Sequence, residues 1–150
     1  MTASSPFSIL LVDDDPLVAE VLTRSARQNF PEALIQVRTS YAEAEAYVES
    51  LEGKGPKLIL LDIDLKIGPD GFAFLAYLRN HPQARLLPVV MLSYYDETEN
   101  VEKAFSMGAS LFTRKPSVYS AWQAYVQQLR HYWFETITVP TVWFSKRATS

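Results

Sequence analysis

The sequence contains no cysteine among its 150 residues, and this absence removes several kinds of chemistry at once. Disulfide bonds, thiolate metal sites and cysteine nucleophiles are all excluded. The N-terminal MTASSP also lacks the basic stretch and apolar core of a signal peptide. A cysteine-free chain without a leader fits a reducing compartment, so we expect a cytoplasmic protein.

Long apolar runs and positive charge are also scarce. No apolar run approaches the length needed to cross a bilayer, so no membrane association is predicted. The formal net charge of −3 provides no basic surface, so nucleic-acid binding gains no support. The residues that are present, 48% hydrophobic and 21% charged, suffice for the core of one ordinary globular domain.

Five short apolar runs alternate with helix-like stretches along the chain. The runs predict strands over residues 7–12, 34–39, 57–61, 88–92 and 110–114. Several runs are continuously apolar, which is typical of strands covered by helices on both faces of a parallel sheet. Alternating strands and helices with right-handed crossovers indicate a doubly wound α/β fold.

Helical spacing of apolar residues predicts five helices between and after these strands. The second opens with a capping-box pattern at Ser40 and Glu43. The fourth, over residues 96–107, is predicted to turn Val101, Ala104 and Phe105 inward and to stop at Gly108. The fifth, over residues 118–134, carries one apolar stripe made of Trp122, Tyr125, Val126, Leu129 and Trp133.

Polar side chains follow four of the predicted strands at the point where each strand ends. In a doubly wound sheet, ligands bind beyond the carboxyl ends of the strands, so these side chains should converge on one site. They are Asp13 and Asp14 after the first strand, Asp62 and Asp64 after the third, Ser93 after the fourth and Lys115 after the fifth.

Carboxylates, a hydroxyl and a cation in one pocket suit a divalent metal and a phosphoryl group. Clustered carboxylates repel one another unless a cation intervenes, and Mg²⁺ prefers such oxygen ligands. Asp62 is the candidate nucleophile, since a carboxylate can accept a phosphoryl group as an acyl phosphate. Ser93 is a candidate hydrogen-bond donor to the phosphoryl oxygens and Lys115 a candidate counter-charge. Asp15 precedes Pro16 and is interpreted as a helix cap.

These motifs, taken in order, resemble those of a response-regulator receiver domain over residues 7–134. The acidic pair is Asp13 and Asp14 in ILLVDDDP, and the phosphoacceptor is Asp62 in LILLDIDL. Ser93 in PVVMLS, and Lys115 followed by proline in FTRKP, complete the set. The resemblance also places an aromatic switch residue on the fifth strand, which is Phe112 here.

The resemblance implies a fold, a cofactor and partners. The fold would be flavodoxin-like, with strand order 2-1-3-4-5 and five flanking helices. Asp13, Asp14, Asp62 and the backbone carbonyl of Asp64 would bind Mg²⁺. A histidine kinase or phosphotransfer protein would phosphorylate Asp62, and the change would be read on the face formed by the fourth helix, fifth strand and fifth helix.

Two local features depart from the family pattern. The loop DLKIGPDG after Asp62 is one residue longer than usual, with Lys66 where a proline is common. Tyr94 follows Ser93 where the family usually has a small residue. A bulky ring there leads to the hypothesis that Tyr94 narrows access to the acyl phosphate and slows its hydrolysis.

The two termini flank the predicted domain. Residues 1–6 are expected to be a flexible N-terminus, and residues 135–150 form a tail too short for an output domain, so a stand-alone receiver is expected. The segment HYWFETITVP is similar to single-domain receivers that serve bacterial phytochrome kinases, a group whose members often form dimers. The aromatic tail therefore has two interpretations: a homodimer contact together with the fifth-helix face, or a segment packed on its own domain.

Two other functions remain open from the sequence. LILLDIDL also resembles the nucleophile motif of haloacid-dehalogenase-type phosphatases, with Asp62 as nucleophile and Asp64 as general acid. A receiver fold that binds partners without phosphate is the other alternative. The non-enzymatic phosphoacceptor is preferred because it explains all the strand-end residues. His81 and His131 are both predicted to be surface residues.

Overall fold

A five-stranded parallel sheet forms the centre of the protein, as seen in a computed structural model that describes residues 6–145. Its spatial order is β2-β1-β4-β5-β6. Because β3 is a short strand outside this sheet, the order confirms the predicted 2-1-3-4-5 arrangement. The strands are β1 (Phe7–Val12), β2 (Ala33–Arg38), β3 (Gly53–Lys54), β4 (Leu58–Leu61), β5 (Val89–Ser93), β6 (Leu111–Arg114) and β7 (Trp143–Phe144).

Five α-helices flank the sheet: α1 (Pro16–Asn29), α2 (Tyr41–Glu49), α3 (Gly71–Asn80), α4 (Thr98–Ser106) and α5 (Tyr119–Leu129). A 3₁₀ turn, Ala84–Leu86, precedes β5, and a π-helical segment, Arg130–Thr136, continues α5. No helix within residues 6–145 combines the length and the apolar character that a membrane crossing requires. The expected N-terminal segment 1–6 lies, apart from residue 6, outside the described residues.

Successive residues of each central strand enter opposite layers of the core. Leu11, Leu60 and Leu92 pack with α1 and α5 on one face. Leu10, Ile59 and Met91 have the opposite orientation and pack with α2 and α3. The predicted stripe of the fifth helix is buried in the α1–α5 layer, including Trp133 within the π-helical continuation.

Side-chain caps fix where two of the helices begin, directly after strands. Asp15 accepts a hydrogen bond from the backbone N–H of Leu17 at 2.9 Å, as its interpretation as a cap requires. Ser40 accepts one from the backbone of Glu43 at 3.2 Å, and the Glu43 carboxylate reaches back to the N–H of Thr39 at 3.0 Å. Each cap satisfies backbone donors that a helix start leaves without intrahelical partners.

The predicted inward face of the fourth helix is wrong at one position. Ala104 is fully buried and Val101 is half-buried, but Phe105 is 48% exposed. Consecutive helical residues are about 100° apart, so a helix that contacts the sheet along a narrow stripe at Ala104 turns the next residue outward. The ring of Phe105 instead contributes to the outer surface of α4.

His81 is also misplaced by the sequence analysis, because it is buried rather than exposed. Its Nδ1 accepts hydrogen bonds from the backbone N–H groups of Gln83 at 3.1 Å and Ala84 at 3.0 Å. Its ring packs between those of Tyr77 and Phe144, with centroids 5.8 Å and 5.9 Å away. His131, in contrast, is exposed as predicted.

The C-terminal strap, residues 137–145, packs on its own domain along the edge of the sheet where β4 begins. β7 pairs antiparallel with β3, and Val142 and Phe144 are buried in the α2–α3 layer of the core. A Cβ atom at Gly55 would collide with the Phe144 ring, so the close approach requires glycine. Lys57 donates a further hydrogen bond to the Thr141 hydroxyl at 2.7 Å.

Candidate functional site

The sheet brings the predicted strand-end residues together at its carboxyl edge. Asp13 follows β1, Asp62 follows β4, Ser93 ends β5 and Lys115 follows β6. The parallel ladder extends into these positions, because the N–H of Asp62 bonds to the carbonyl of Val12 at 2.9 Å and that of Lys115 to Ser93 at 2.9 Å. All four side chains are buried, which is unusual for polar groups without a shared role.

Three carboxylates form the acidic part of the site. Asp13, Asp14 and Asp62 each offer a ligand oxygen, and these atoms lie within 4.8 Å of one another. Asp13 and Asp62 are buried, whereas Asp14 is half-buried. Asp13 also accepts a hydrogen bond from the backbone of Asp15 at 2.9 Å, and Asp14 accepts one from that of Lys66 at 3.3 Å. Both carboxylates are thereby held by backbone donors.

Lys115 supplies the cation of the site. Its Nζ lies 2.8 Å from Asp13 Oδ2 and 3.4 Å from Asp62 Oδ2. One ammonium set against the three carboxylates leaves two negative charges without a compensating partner in the cluster. A divalent cation carries the charge that would balance them, and carboxylate oxygens are the ligands that hard cations such as Mg²⁺ prefer. The residues present therefore fit such an ion.

Burial and the neighbouring charges shift the pKa values of Asp13, Asp62 and Lys115. Burial, reinforced by the negative charge of Asp13, raises the pKa of Asp62 from 3.8 to about 6. Burial also raises the pKa of Asp13, against the opposing hydrogen bond from Lys115. Burial alone would lower the pKa of Lys115, but the neighbouring carboxylates Asp13 and Asp62 raise it. Lys115 is therefore held as an ammonium.

The loop between β4 and α3 approaches Asp62 closely and includes residues that the sequence analysis missed. The neighbouring backbone N–H of Asp64 lowers the pKa of the Asp62 carboxyl, in opposition to burial. Gly71 lies against the backbone carbonyl of Asp62, where a Cβ atom would collide with it, and its N–H bonds to Ile63 at 2.8 Å. Asp70 caps α3 through the N–H of Ala73 at 2.9 Å. The Asp-Gly pair directly before an apolar helix was the available signal.

The loop after β5 places two tyrosines beside the site. The Ser93 hydroxyl accepts a hydrogen bond from the backbone N–H of Tyr95 at 3.0 Å, which turns the chain sharply. The ring of Tyr94 then lies over Lys115, with its centroid 5.1 Å from Nζ. Phe112, the candidate switch residue, is half-buried on β6 and packs against the α2–α3 layer.

Residues 9–127 match the family model of the response regulator receiver domain. The chain belongs to the response regulator receiver domain family. Receiver domains take part in two-component signalling, where they accept phosphoryl groups, bind a divalent metal through an aspartate cluster and interact with histidine kinases or phosphotransfer proteins. In this chain, Asp13, Asp14 and Asp62 form a group of three aspartates whose oxygens lie close together.

Several relatives align with nearly the whole receiver chain. Response regulator Rcp1 of Synechocystis sp. is 28% identical over 142 residues, which cover 92% of this chain and 96% of Rcp1. The crystal structure of the phosphorylated cyanobacterial phytochrome response regulator RcpA superposes with a TM-score of 0.83 at 23% identity, covering 91% of this chain and 99% of RcpA. The Mn²⁺-bound form of Rcp1 gives 0.79 at 24% identity, covering 91% of this chain and 100% of that structure.

An enzyme relative matches over a smaller share of its length. A protein-glutamate methylesterase/protein-glutamine glutaminase of Xanthomonas oryzae pv. oryzae is 32% identical over 120 residues. The match covers 79% of this chain but only 32% of that relative. The likeness therefore concerns the receiver portion and carries no esterase or glutaminase activity to this chain.

Proposed function

We propose that this protein is a phosphoacceptor response regulator, with Asp62 as the phosphorylated residue. The receiver would extend over residues 7–134, with residues 135–150 as its tail. The observation that carries the proposal is the cluster formed by the buried Asp13 and Asp62, the half-buried Asp14 and the buried Lys115. Such a cluster costs folding free energy, and phosphoryl transfer gives each of its members a role.

The proposed reaction moves a phosphoryl group from a phosphohistidine to Asp62. An Asp62 carboxylate oxygen attacks phosphorus, the phosphorus–nitrogen bond breaks, and the imidazole leaves with its electron pair. With a pKa of about 6, Asp62 is mostly ionised, and so nucleophilic, at neutral pH. Lys115, which lies 3.4 Å from the Asp62 carboxylate, can reach the oxygens of the incoming group as a point charge.

The cofactor that best fits the acidic cluster is Mg²⁺. Asp13, Asp14, Asp62 and the backbone carbonyl of Asp64 would hold it. When bound, the ion would screen the negative charges of the carboxylate and of the phosphoryl oxygens. The two uncompensated charges of the cluster support this choice, as does the Mn²⁺-bound form of the relative Rcp1.

Phosphorylation would be transmitted to the face formed by α4, β6 and α5. Ser93 and Lys115 would move toward the phosphoryl oxygens, and Phe112 on β6 would turn inward to fill the space released. This face exposes apolar side chains, Phe105, Leu111 and Tyr132, which suit it to partner binding or homodimer formation. Sedimentation with and without beryllofluoride tests the dimer, and a monomer under both conditions would refute it.

The phosphodonor would be a histidine kinase or phosphotransfer protein, of phytochrome type by similarity to Rcp1 and RcpA. A groove of about 490 Å³ between α1 and α5 adjoins the site. Leu17 and Val118 line it and are 69% and 58% exposed. An apolar helix that carries a phosphohistidine would contact these side chains while its imidazole faces Asp62.

Chemical phosphorylation tests the assignment directly. Incubation with acetyl phosphate and Mg²⁺ should add one phosphoryl group per chain, labile to hydroxylamine and located at Asp62 by mass spectrometry. Asp62→Asn should lose the label, while Asp64→Asn, which keeps the backbone carbonyl, should retain it. Catalytic turnover of a phosphomonoester that depends on both carboxylates would instead favour a phosphatase. A wild-type chain that no donor labels would favour an interaction module.

A further inference from the structure

Tyr94 contacts the site without being one of its acidic or basic groups. Lys115 is buried, and its ammonium is held by Asp13 and Asp62 and covered by the face of the Tyr94 ring. Tyr94 itself is 48% exposed, so the ring lies between the ammonium and the solvent on that side. A cation over an aromatic face is attracted to it, and more strongly where water is excluded.

The backbone fixes Tyr94 in this position. The bond from the Tyr95 N–H to the Ser93 hydroxyl closes a turn around Tyr94, so the backbone at Tyr94 is held by a residue that belongs to the site. Tyr94 also lines the groove between α1 and α5, together with Leu17 and Val118. One aromatic side chain therefore covers Lys115 and forms part of the wall along which a partner would approach.

We propose that Tyr94 is a positioning residue that keeps Lys115 at the phosphoryl group and restricts water, so that it sets the lifetime of phosphorylated Asp62. The inference rests on the proposed function. Loss of the phosphoryl group requires water to attack phosphorus while the bond from phosphorus to the Asp62 oxygen breaks. The products are inorganic phosphate and the Asp62 carboxylate, which keeps the electron pair. A ring over Lys115 reduces the room for that water and limits the motion of the ammonium.

The test compares three variants of the full chain, phosphorylated with acetyl phosphate and Mg²⁺ and then freed of donor. Tyr94→Ala removes the ring, whereas Tyr94→Phe keeps the aromatic face and loses only the hydroxyl. Trp143→Ala is the matched control, because the Trp143 ring is 63% exposed and also lies over a lysine, Lys54, but on the C-terminal strap rather than at the site. The phosphoryl lifetime is followed by intact-mass spectrometry.

We expect Tyr94→Ala to shorten the lifetime about tenfold, the size of effect that a desolvated cation–aromatic contact can produce. Tyr94→Phe and Trp143→Ala should stay within about twofold of the wild type. A second readout needs neither metal nor phosphate. In the free protein, the ring current of residue 94 should shift the NMR signals of the Lys115 ε-methylene protons, and only Tyr94→Ala should abolish that shift.

The possible results distinguish a failure of the Tyr94 role from a failure of the proposed receiver function. If the wild type is labelled at Asp62 but Tyr94→Ala has the wild-type lifetime, the role of Tyr94 is refuted and the receiver function stands. Equal shortening of the lifetime in Tyr94→Phe would also refute it, because the hydroxyl group rather than the ring face would then set the lifetime. If the wild type is never labelled at Asp62, the proposed function fails, and the inference fails with it.

Discussion

The two edges of the central sheet, at the carboxyl and the amino ends of its strands, differ in whether their buried polar groups are fully paired. At the carboxyl edge, Asp13, Asp62 and Lys115 are buried together with incomplete charge compensation. At the amino edge, the C-terminal strap covers the sheet with Val142 and Phe144, and it is hydrogen-bonded to β3 and to Lys57. The first edge retains an unfavourable arrangement that a ligand can relieve, whereas the second is closed by packing.

This difference separates stability from function within one small domain. Stability at the amino edge comes from apolar burial, which does not respond to a metal or a phosphoryl group. The carboxyl edge is stabilised by whatever neutralises its charge, so its contribution to folding should depend on pH and on divalent cations. Changes at the two edges should therefore differ in their response to Mg²⁺ as well as in size.

Removal of Lys115 should have the largest effect. Lys115→Met leaves the Asp13 and Asp62 carboxylates buried without their cation, and loss of one partner from a buried pair costs about 3–5 kcal/mol. We expect the metal-free free energy of unfolding, measured with urea, to fall by about 4 kcal/mol and to recover largely in Mg²⁺. Lys57→Met, which loses one hydrogen bond at the amino edge, should lose about 1 kcal/mol with no such recovery. An equal response of both variants to Mg²⁺ would contradict the contrast.

Loss of the Phe144 ring should have the next largest effect, at the amino edge. Phe144→Ala should lower the free energy of unfolding by about 3 kcal/mol, the lower end of the cost of truncating a buried phenylalanine. Trp143→Ala, at the adjacent position, provides the matched control. The Trp143 ring is 63% exposed, so its loss should lower the free energy of unfolding by less than about 1 kcal/mol. Mg²⁺ affinity, measured by calorimetry, should be unchanged in both. A lower affinity in Phe144→Ala would show that the edges are coupled.

Neutralising Asp62 should stabilise the metal-free protein. The pKa of Asp62 is raised from 3.8 to about 6 on folding, so the folded state binds the proton more tightly than the unfolded state. The destabilisation is therefore absent below about pH 4, develops as pH rises and is complete above about pH 6. Asp62→Asn should gain about 3 kcal/mol at pH 8 and nothing near pH 3.5. Urea unfolding at the two pH values measures this, and a gain independent of pH would exclude the electrostatic cause.

The smallest predicted effect separates a cap from a ligand. Asp15 caps α1 through the N–H of Leu17, so Asp15→Ala should cost about 1 kcal/mol of stability. Its Mg²⁺ affinity, measured by calorimetry, should stay within about threefold of the wild type, since only a nearby charge is lost. Asp14→Ala, at the adjacent position, should weaken Mg²⁺ binding by tenfold or more, because it removes one of the proposed metal ligands. Similar losses of affinity in the two variants would place Asp15 in the metal site.

The carboxyl edge was largely predictable from the sequence, because the topology of a parallel sheet brings strand ends together. Once five strands are recognised, Asp13, Asp62, Ser93 and Lys115 have only one edge available to them. The capping of α1 by Asp15 was equally accessible, since Asp before Pro is a local signal. The close approach of Gly71 to Asp62 was missed because it depends on the path of an irregular loop.

The amino edge was not predictable in the same way. The Phe144 ring packs between segments around Gly55 and His81. These segments are far apart in sequence, so the local periodicity of the chain does not indicate that they meet. His81 was assigned to the surface for the same reason, since Phe144, which packs against its ring, is distant in sequence. Phe105 was misassigned because periodicity gives the direction of an apolar face and not its width.

The three tryptophans of the chain differ in their exposure to solvent. Trp122 and Trp133 are buried in the α1–α5 layer, and Trp122 lines the groove beside the site, whereas Trp143 lies on the strap and is exposed. Intrinsic fluorescence therefore contains two separable signals, one shielded and one open to an aqueous quencher such as acrylamide. With Trp143 replaced by Phe, emission would report the surroundings of α5 alone, and the difference spectrum would follow detachment of the strap without an added label.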